Sequence, residues 1–151
     1  MRFVTATGIA LLWVSSAHAD PTLIGLWTSD RDSSASFNEQ HAQLKQKTAS
    51  FLRQSMGRLT VNFAADTVAW RLPAFEATIE GKKHKIVGFS EVHPYQVLGS
   101  TEDTVAIQTT EPVSGRKVIV LYTFEGPNKM WVYVGSLGSH LREYFVRKIE
   151  G

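Results

Sequence analysis

Arg58-Leu59-Thr60-Val61-Asn62-Phe63, then Ala64-Ala65-Asp66, then Thr67-Val68-Ala69-Trp70-Arg71-Leu72: this stretch decides the fold class. Leu59, Val61 and Phe63 alternate with Arg58, Thr60 and Asn62, and Val68, Trp70 and Leu72 alternate with Thr67, Ala69 and Arg71. A period of two sends successive side chains to opposite faces of an extended chain, so each half reads as a strand with one apolar face. Two such strands across a three-residue connection make an antiparallel hairpin.

The same pattern extends outward. Pro73 interrupts it, Phe75, Ala77 and Ile79 resume it, and Glu80-Gly81-Lys82 marks a hairpin tip leading into a strand at 83–90. Further strands are predicted at 95–98, 104–109, 117–125, 130–135 and 141–149, and an earlier one at 23–29. Turns fall at His93-Pro94, 99–103, 112–115, Gly126-Pro127-Asn128 and 135–139. Short strands at such regular spacing predict a mainly β fold, an antiparallel meander barrel of about 8–10 strands.

Between the first and second strands the period lengthens. Ser36 followed by Glu39 has the capping-box spacing, and Gly57 suits the left-handed residue that ends a helix. Phe37, His41, Leu44, Thr48, Phe51, Leu52 and Met56 recur at steps of three and four, while Lys45, Lys47 and Arg53 occupy the C-terminal half. The expectation is one long helix over 36–56, spanning roughly 30 Å. Two late strands are apolar on both rows: Val118, Val120, Tyr122 and Phe124 against Ile119 and Leu121, and Met130, Val132 and Val134 against Trp131 and Tyr133. A sheet with one wet face needs one polar row. The helix is therefore expected to cover the outer row, the alternative being an exposed apolar binding patch.

Residues 1–19 read as a signal peptide. Met1-Arg2 precedes an apolar run at 3–14, broken by Thr5, Thr7 and Gly8, and Ser15-Ser16-Ala17-His18-Ala19 ends in a small-x-small cleavage pattern. The run is about 12 residues, short of the roughly 20 a spanning helix needs. Cleavage at Ala19-Asp20 implies a periplasmic or secreted protein whose single domain is 20–151, with no further apolar run long enough to span a membrane. Of 16 Lys and Arg only Arg2 precedes that cut, and all 14 Asp and Glu follow it, so the mature part carries a net charge of +1. This balance argues against a nucleic-acid binder. The absence of cysteine excludes disulfides and a cysteine-linked lipid anchor, so packing alone must hold the domain.

Gly25-Leu26-Trp27 lies close to the new N-terminus and precedes a strand meander whose last member is rich in Arg. In this the chain resembles the lipocalin-like (calycin) β-barrels, in which a G-x-W motif opens the first strand and its Trp packs at the closed end under a basic side chain from the last strand. The resemblance implies Gly25 and Trp27 as that structural motif, with Arg142 or Arg147 as the basic partner. A helix between the first two strands is similar to the lid of the fatty-acid-binding branch. The long single helix and the lack of cysteine depart from the pattern. The function so implied is an exported soluble binding protein holding a small apolar or amphipathic ligand in its barrel.

Aromatic side chains with a few polar groups among them line such cavities. The residues expected to bind the ligand are Trp70, Arg71, His41, Tyr133, Arg142 and Tyr144. No G-x-S-x-G elbow is present, and Gly135-Ser136-Leu137-Gly138-Ser139 reads as a loop between strands rather than a phosphate cradle. His41, His84, His93 and His140 form no H-x-x-x-H or H-x-H pair, so no metal and no cofactor is predicted; Glu91 with His93 comes nearest to a metal core. Lys82-Lys83-His84-Lys85 reads as a solvated hairpin tip. Two other functions remain open: an envelope interaction or inhibitor module with a protein partner on an exposed apolar patch, and a small hydrolase-type enzyme acting through His93, Glu91 or His41. The enzyme lacks any recognisable catalytic spacing, so its catalytic residues are unknown and the chain reads as a binding protein first.

Overall fold

Among the described residues, ten strands and two helices follow one another as β1 (Gly25–Asp30), α1 (Arg31–His41), α2 (Gln46–Ser55), β2 (Thr60–Phe63), β3 (Thr67–Leu72), β4 (Phe75–Ile79), β5 (Lys82–Ile86), β6 (Phe89–Ser100), β7 (Thr104–Thr110), β8 (Lys117–Phe124), β9 (Lys129–Val134) and β10 (Leu141–Arg147). The computed structural model describes residues 22–134 and 140–149; the signal-peptide reading and the turn at 135–139 lie outside these. Eight strands close an antiparallel barrel in the order β1-β10-β9-β8-β7-β6-β3-β2, and β4–β5 form a separate hairpin. The barrel is thus a meander, interrupted between β1 and β2 by the helices and between β3 and β6 by the hairpin. No helix among the described residues is long and apolar enough to cross a membrane.

Alternation along the strands fills one end of the barrel. Trp27, Val61, Phe63, Val68, Ile107 and Met130 are fully buried there, with Phe124, Phe145 and Tyr122 around them. Trp27 meets Phe124 edge to face at 5.9 Å, and Phe63 meets Tyr95 and Tyr122 in the same way at 5.5 and 5.4 Å. Arg147 closes this end from below. Its guanidinium lies 4.2 Å from the Trp27 ring centroid, Nη2 donates to the Thr22 carbonyl at 2.8 Å and Nε to Pro127 O at 3.2 Å, while Nη1 donates to Ile24 O. The basic partner of Trp27 is therefore Arg147. Arg142 lies on the other face of β10.

The single long helix is corrected to two. α1 starts five residues before Ser36, capped by Asp30, whose carboxylate accepts from the Ser33 N–H at 3.2 Å. Its fully buried positions are Ser34 and Asn38, both polar, and of the expected apolar stripe Phe37 packs beside them, 6.0 Å from the Tyr144 ring. α1 leaves the sheet where β1 ends and lies along the part of β10 that β1 no longer covers. Ser34 Oγ accepts from the Tyr144 N–H at 2.8 Å, and the Asn38 amide accepts from Arg142 N–H at 2.8 Å and donates to Arg142 O at 2.9 Å. A straight continuation would carry the chain past this edge. The chain instead leaves helical geometry at Ala42, whose N–H closes on Asn38 O at 2.9 Å, and restarts at Gln46. Gly57 ends the second helix at φ +85°, with its N–H donating to Ser29 Oγ at 2.8 Å.

Two further expectations change. His93-Pro94 is no turn: β6 runs through it, with Val68 opposite His93 and Thr67 opposite Pro94. Pro94 sits at the end of the β3 ladder, where its missing N–H is tolerated, and its carbonyl accepts from Thr109 Oγ1 at 3.0 Å. Nor does a helix cover the outer row of β8, because α1 packs on β10 and α2 on β4. Ile119 is 59% exposed, Leu121 55% and Tyr133 55%.

Candidate functional site

The barrel's two ends differ in kind. At the end where β1 gives way to α1, inward-facing residues are only half-buried: Phe89, Glu91 and His93 on β6, Val118 and Val120 on β8, Val132 on β9, and Leu141 and Glu143 on β10. Side chains of Glu91 and His93 are 39% and 24% exposed although they share the inward row of Tyr95. These half-exposed side chains ring the barrel mouth above the packed layer of Trp70 and Tyr122, and the mouth so ringed is the cup.

Polar groups in this cup come from opposite walls. On β6, Glu91 and His93 are two residues apart and hence on one face, with His93 Nε2 and Glu91 Oε2 2.7 Å apart. Trp70 is the register partner of Glu91, and its ring lies 6.0 Å from that of His93. On β10, Glu143 Oε1 accepts from Ser29 Oγ–H at 2.6 Å, and Ser29 Oγ accepts in turn from Gly57 N–H. Burial raises the Glu143 carboxyl above the ordinary range, and the Ser29 hydroxyl partly offsets this. Tyr122 lies between the walls. Burial, and secondarily the nearby Glu143 charge, push its hydroxyl far up, while the Trp70 indole N–H reaches its oxygen and works the other way. No third His, Asp or Glu among the described residues joins any of these in a metal-ligating group.

α2 and the β4–β5 hairpin flank the mouth. The Gln54 amide donates to Thr78 O and accepts from Thr78 N–H, both at 2.8 Å, and the Arg58 guanidinium stacks 4.4 Å from the Phe75 centroid. Glu80 and Gly81 take the two positive-φ positions of the hairpin tip. Where the hairpin leaves and rejoins the barrel, a Cβ on Gly88 would stand 2.4 Å from Ala74 N and Leu72 O, so only glycine permits that crossing. The Lys82-Lys83-His84-Lys85 run is β5 itself, exposed throughout, with Lys83 paired to Glu76 at 2.9 Å.

The six residues expected to bind ligand divide between two places. Trp70 forms the cup floor, and Arg71 beside it points outward and is exposed. Tyr133, Arg142, Tyr144 and His41 share the outer surface between β9–β10 and α1. There the Arg142 guanidinium lies 3.6 Å from the Trp131 centroid, 4.1 Å from Phe37 and 5.4 Å from Tyr133, and donates to the Tyr133 and Tyr144 hydroxyls at 3.4 Å. His41 stacks on Phe37 at 4.3 Å. Arg142 Nε is buried and has no hydrogen-bond partner among the described residues. A notch of about 210 Å³ between α1 and α2 is lined by Asp32, Glu39 and Arg53 and bridged by the Arg53–Glu39 ion pair.

Sequence reading missed Glu143, Ser29 and Tyr122 as a group. Glu143 carried a signal, since a charged residue in the inward register of an otherwise apolar strand requires either a partner or a function. Ser29 carried none. Neither a family model, nor a curated protein, nor a solved structure matches the chain.

Proposed function

We propose that this is an exported binding protein of lipocalin-like architecture, released by cleavage after Ala19, that holds a small amphipathic ligand in the open cup of its barrel. The observation that carries this reading is the half-buried, inward-facing Glu91–His93 pair above the Trp70–Tyr122 floor. A cup with aliphatic walls and a few convergent polar groups is the usual form of a small-molecule site. The Arg147–Trp27–Gly25 cluster at the other end supports the architecture, and α2 with the β4–β5 hairpin stands where a lid would work. Trp70 touches ligand in this reading, whereas Tyr133, Arg142, Tyr144 and His41 form an outer aromatic face that holds α1.

The experiment is titration of the mature chain, 20–151, with eight-carbon amphiphiles while following tryptophan fluorescence and heat. Saturable one-to-one binding that Trp70→Phe alters and Trp131→Phe does not is the expected result. Absence of binding to every amphiphile removes the reading.

The exposed outer row of Ile119, Leu121 and Tyr133 favours a second function, an interaction module that buries this strip against a protein partner. The two readings use opposite faces of β8 and are separable by substitution.

A further inference from the structure

We infer that the polar end of the ligand in the cup is a cation, a protonated amine on an apolar body, held between Glu143 and the aromatic floor. This rests on the cup being the binding site. Two features of the cup carry it.

Charge comes first. Glu91 and Glu143 both face the interior, and the cations on neighbouring strands alternate outward: Arg71 on β3, Lys117 on β8 and Arg142 on β10. Arg147 faces inward at the opposite end and is spent on Trp27 and three carbonyls. Among the described residues, no cation pairs with Glu143, which accepts a hydrogen bond from the Ser29 hydroxyl. An anionic head group would therefore bring like charge to a partly desolvated carboxylate, whereas an ammonium replaces the water that burial has removed.

Second, the floor is aromatic. Trp70 and Tyr122 present rings beside Glu143 and His93, and a desolvated ring face adds to the hold on a cation.

Octylamine, octanol and octanoate share one tail and differ in head charge, so their affinities for the mature chain at pH 7 test the inference. Octylamine is expected to bind at least ten times more tightly than either of the others. Glu143→Gln should reduce that preference about tenfold, and a cooperative melting transition no lower than the parent's shows that the variant is folded. Glu91→Gln, on the opposite wall, should weaken octylamine less. Octanol or octanoate binding as well as octylamine overturns the cationic ligand and leaves the cup standing. No binding by any of the three overturns the cup itself.

Discussion

The Asn38 side chain pairs with the main chain of Arg142 as a neighbouring strand would, giving one hydrogen bond of 2.8 Å to its N–H and one of 2.9 Å to its carbonyl. β1 pairs with β10 only as far as Asp30 opposite Tyr144, so Arg142 lies beyond the last strand partner on that side. Ser34 does the same for the Tyr144 N–H one helical turn earlier. α1 therefore docks by completing a sheet edge, with Phe37 packed beside that edge on Tyr144 and Arg142. The Gln54 amide holds Thr78 of β4 in the same way, at an exposed position.

The two amide clamps predict different costs for one chemical change. Asn38 is 2% exposed, so Asn38→Ala leaves a buried donor and a buried acceptor unpaired. Each such group costs about 1–3 kcal/mol, giving an expected loss of about 2–6 kcal/mol. Water replaces the lost bonds at Gln54→Ala, whose cost should stay below about 1 kcal/mol. Urea unfolding of both variants checks the ratio, and hydrogen exchange at the Arg142 amide should rise only in Asn38→Ala. Equal costs would mean that α1 is held by something other than the clamp.

At the closed end, Gly25 combines a φ of +126° with a space already taken, since an added Cβ would lie 2.8 Å from Arg147 Nη1. Gly25→Ala is expected to destabilise by about 2 kcal/mol or more through the backbone alone. Arg147→Ala removes the guanidinium from the Trp27 ring and leaves three carbonyls to water. In the double variant the side-chain collision is gone but the φ penalty remains, so its cost should fall below the sum of the two singles. Simple additivity in a thermal-melt cycle would show that the collision is absorbed elsewhere.

Glu143 gives the fold a pH dependence of known sign. Its folded-state pKa is raised by burial above that of the unfolded chain, so the carboxyl binds its proton more tightly when folded. The stability this contributes is fully present below the unfolded value of about 4.3 and is lost as pH rises through the folded value. Glu143→Gln keeps an acceptor for the Ser29 hydroxyl and cannot ionise. It should melt higher than the parent at pH 7, with the difference closing towards pH 4. A constant difference across that range would place the effect in packing instead of ionisation.

How far the sequence could be read follows from which residues carry periodic signals. Val61, Phe63, Val68, Trp70, Ile107 and Met130 are apolar residues at alternating positions, and they line the barrel as that alternation requires. Helix docking was illegible because its contact residues, Ser34 and Asn38, look like surface residues and pair with backbone, which no side-chain pattern encodes. Ser36 and Glu39 have the spacing of a capping box, but Asp30 captures the helix start earlier, since it ends β1 and already stands at the turn. Trp70 was legible as an inward-facing residue of β3. Tyr133, Arg142 and Tyr144 share strands with inward-facing residues, and only the register, with Phe145 opposite Met130 inside and Tyr144 opposite Trp131 outside, separates the two faces.

That register also separates the two functions. Ile119 and Leu121 face outward on β8, while Val118, Val120 and Tyr122 between and beside them face in. Ile119→Lys with Leu121→Lys replaces exposed apolar surface, so its effect on stability should stay within about 0.5 kcal/mol per site, mostly from lower strand preference. Binding of octylamine in the cup should not change, because a period of two keeps the outer row out of contact with the interior. A surface-seeking dye that fluoresces on apolar patches should lose most of its signal, and any concentration-dependent association of the parent should disappear with it. If the double variant instead loses octylamine binding with its melting curve intact, the ligand sits on the outer strip, and the cup is only the interior of the barrel.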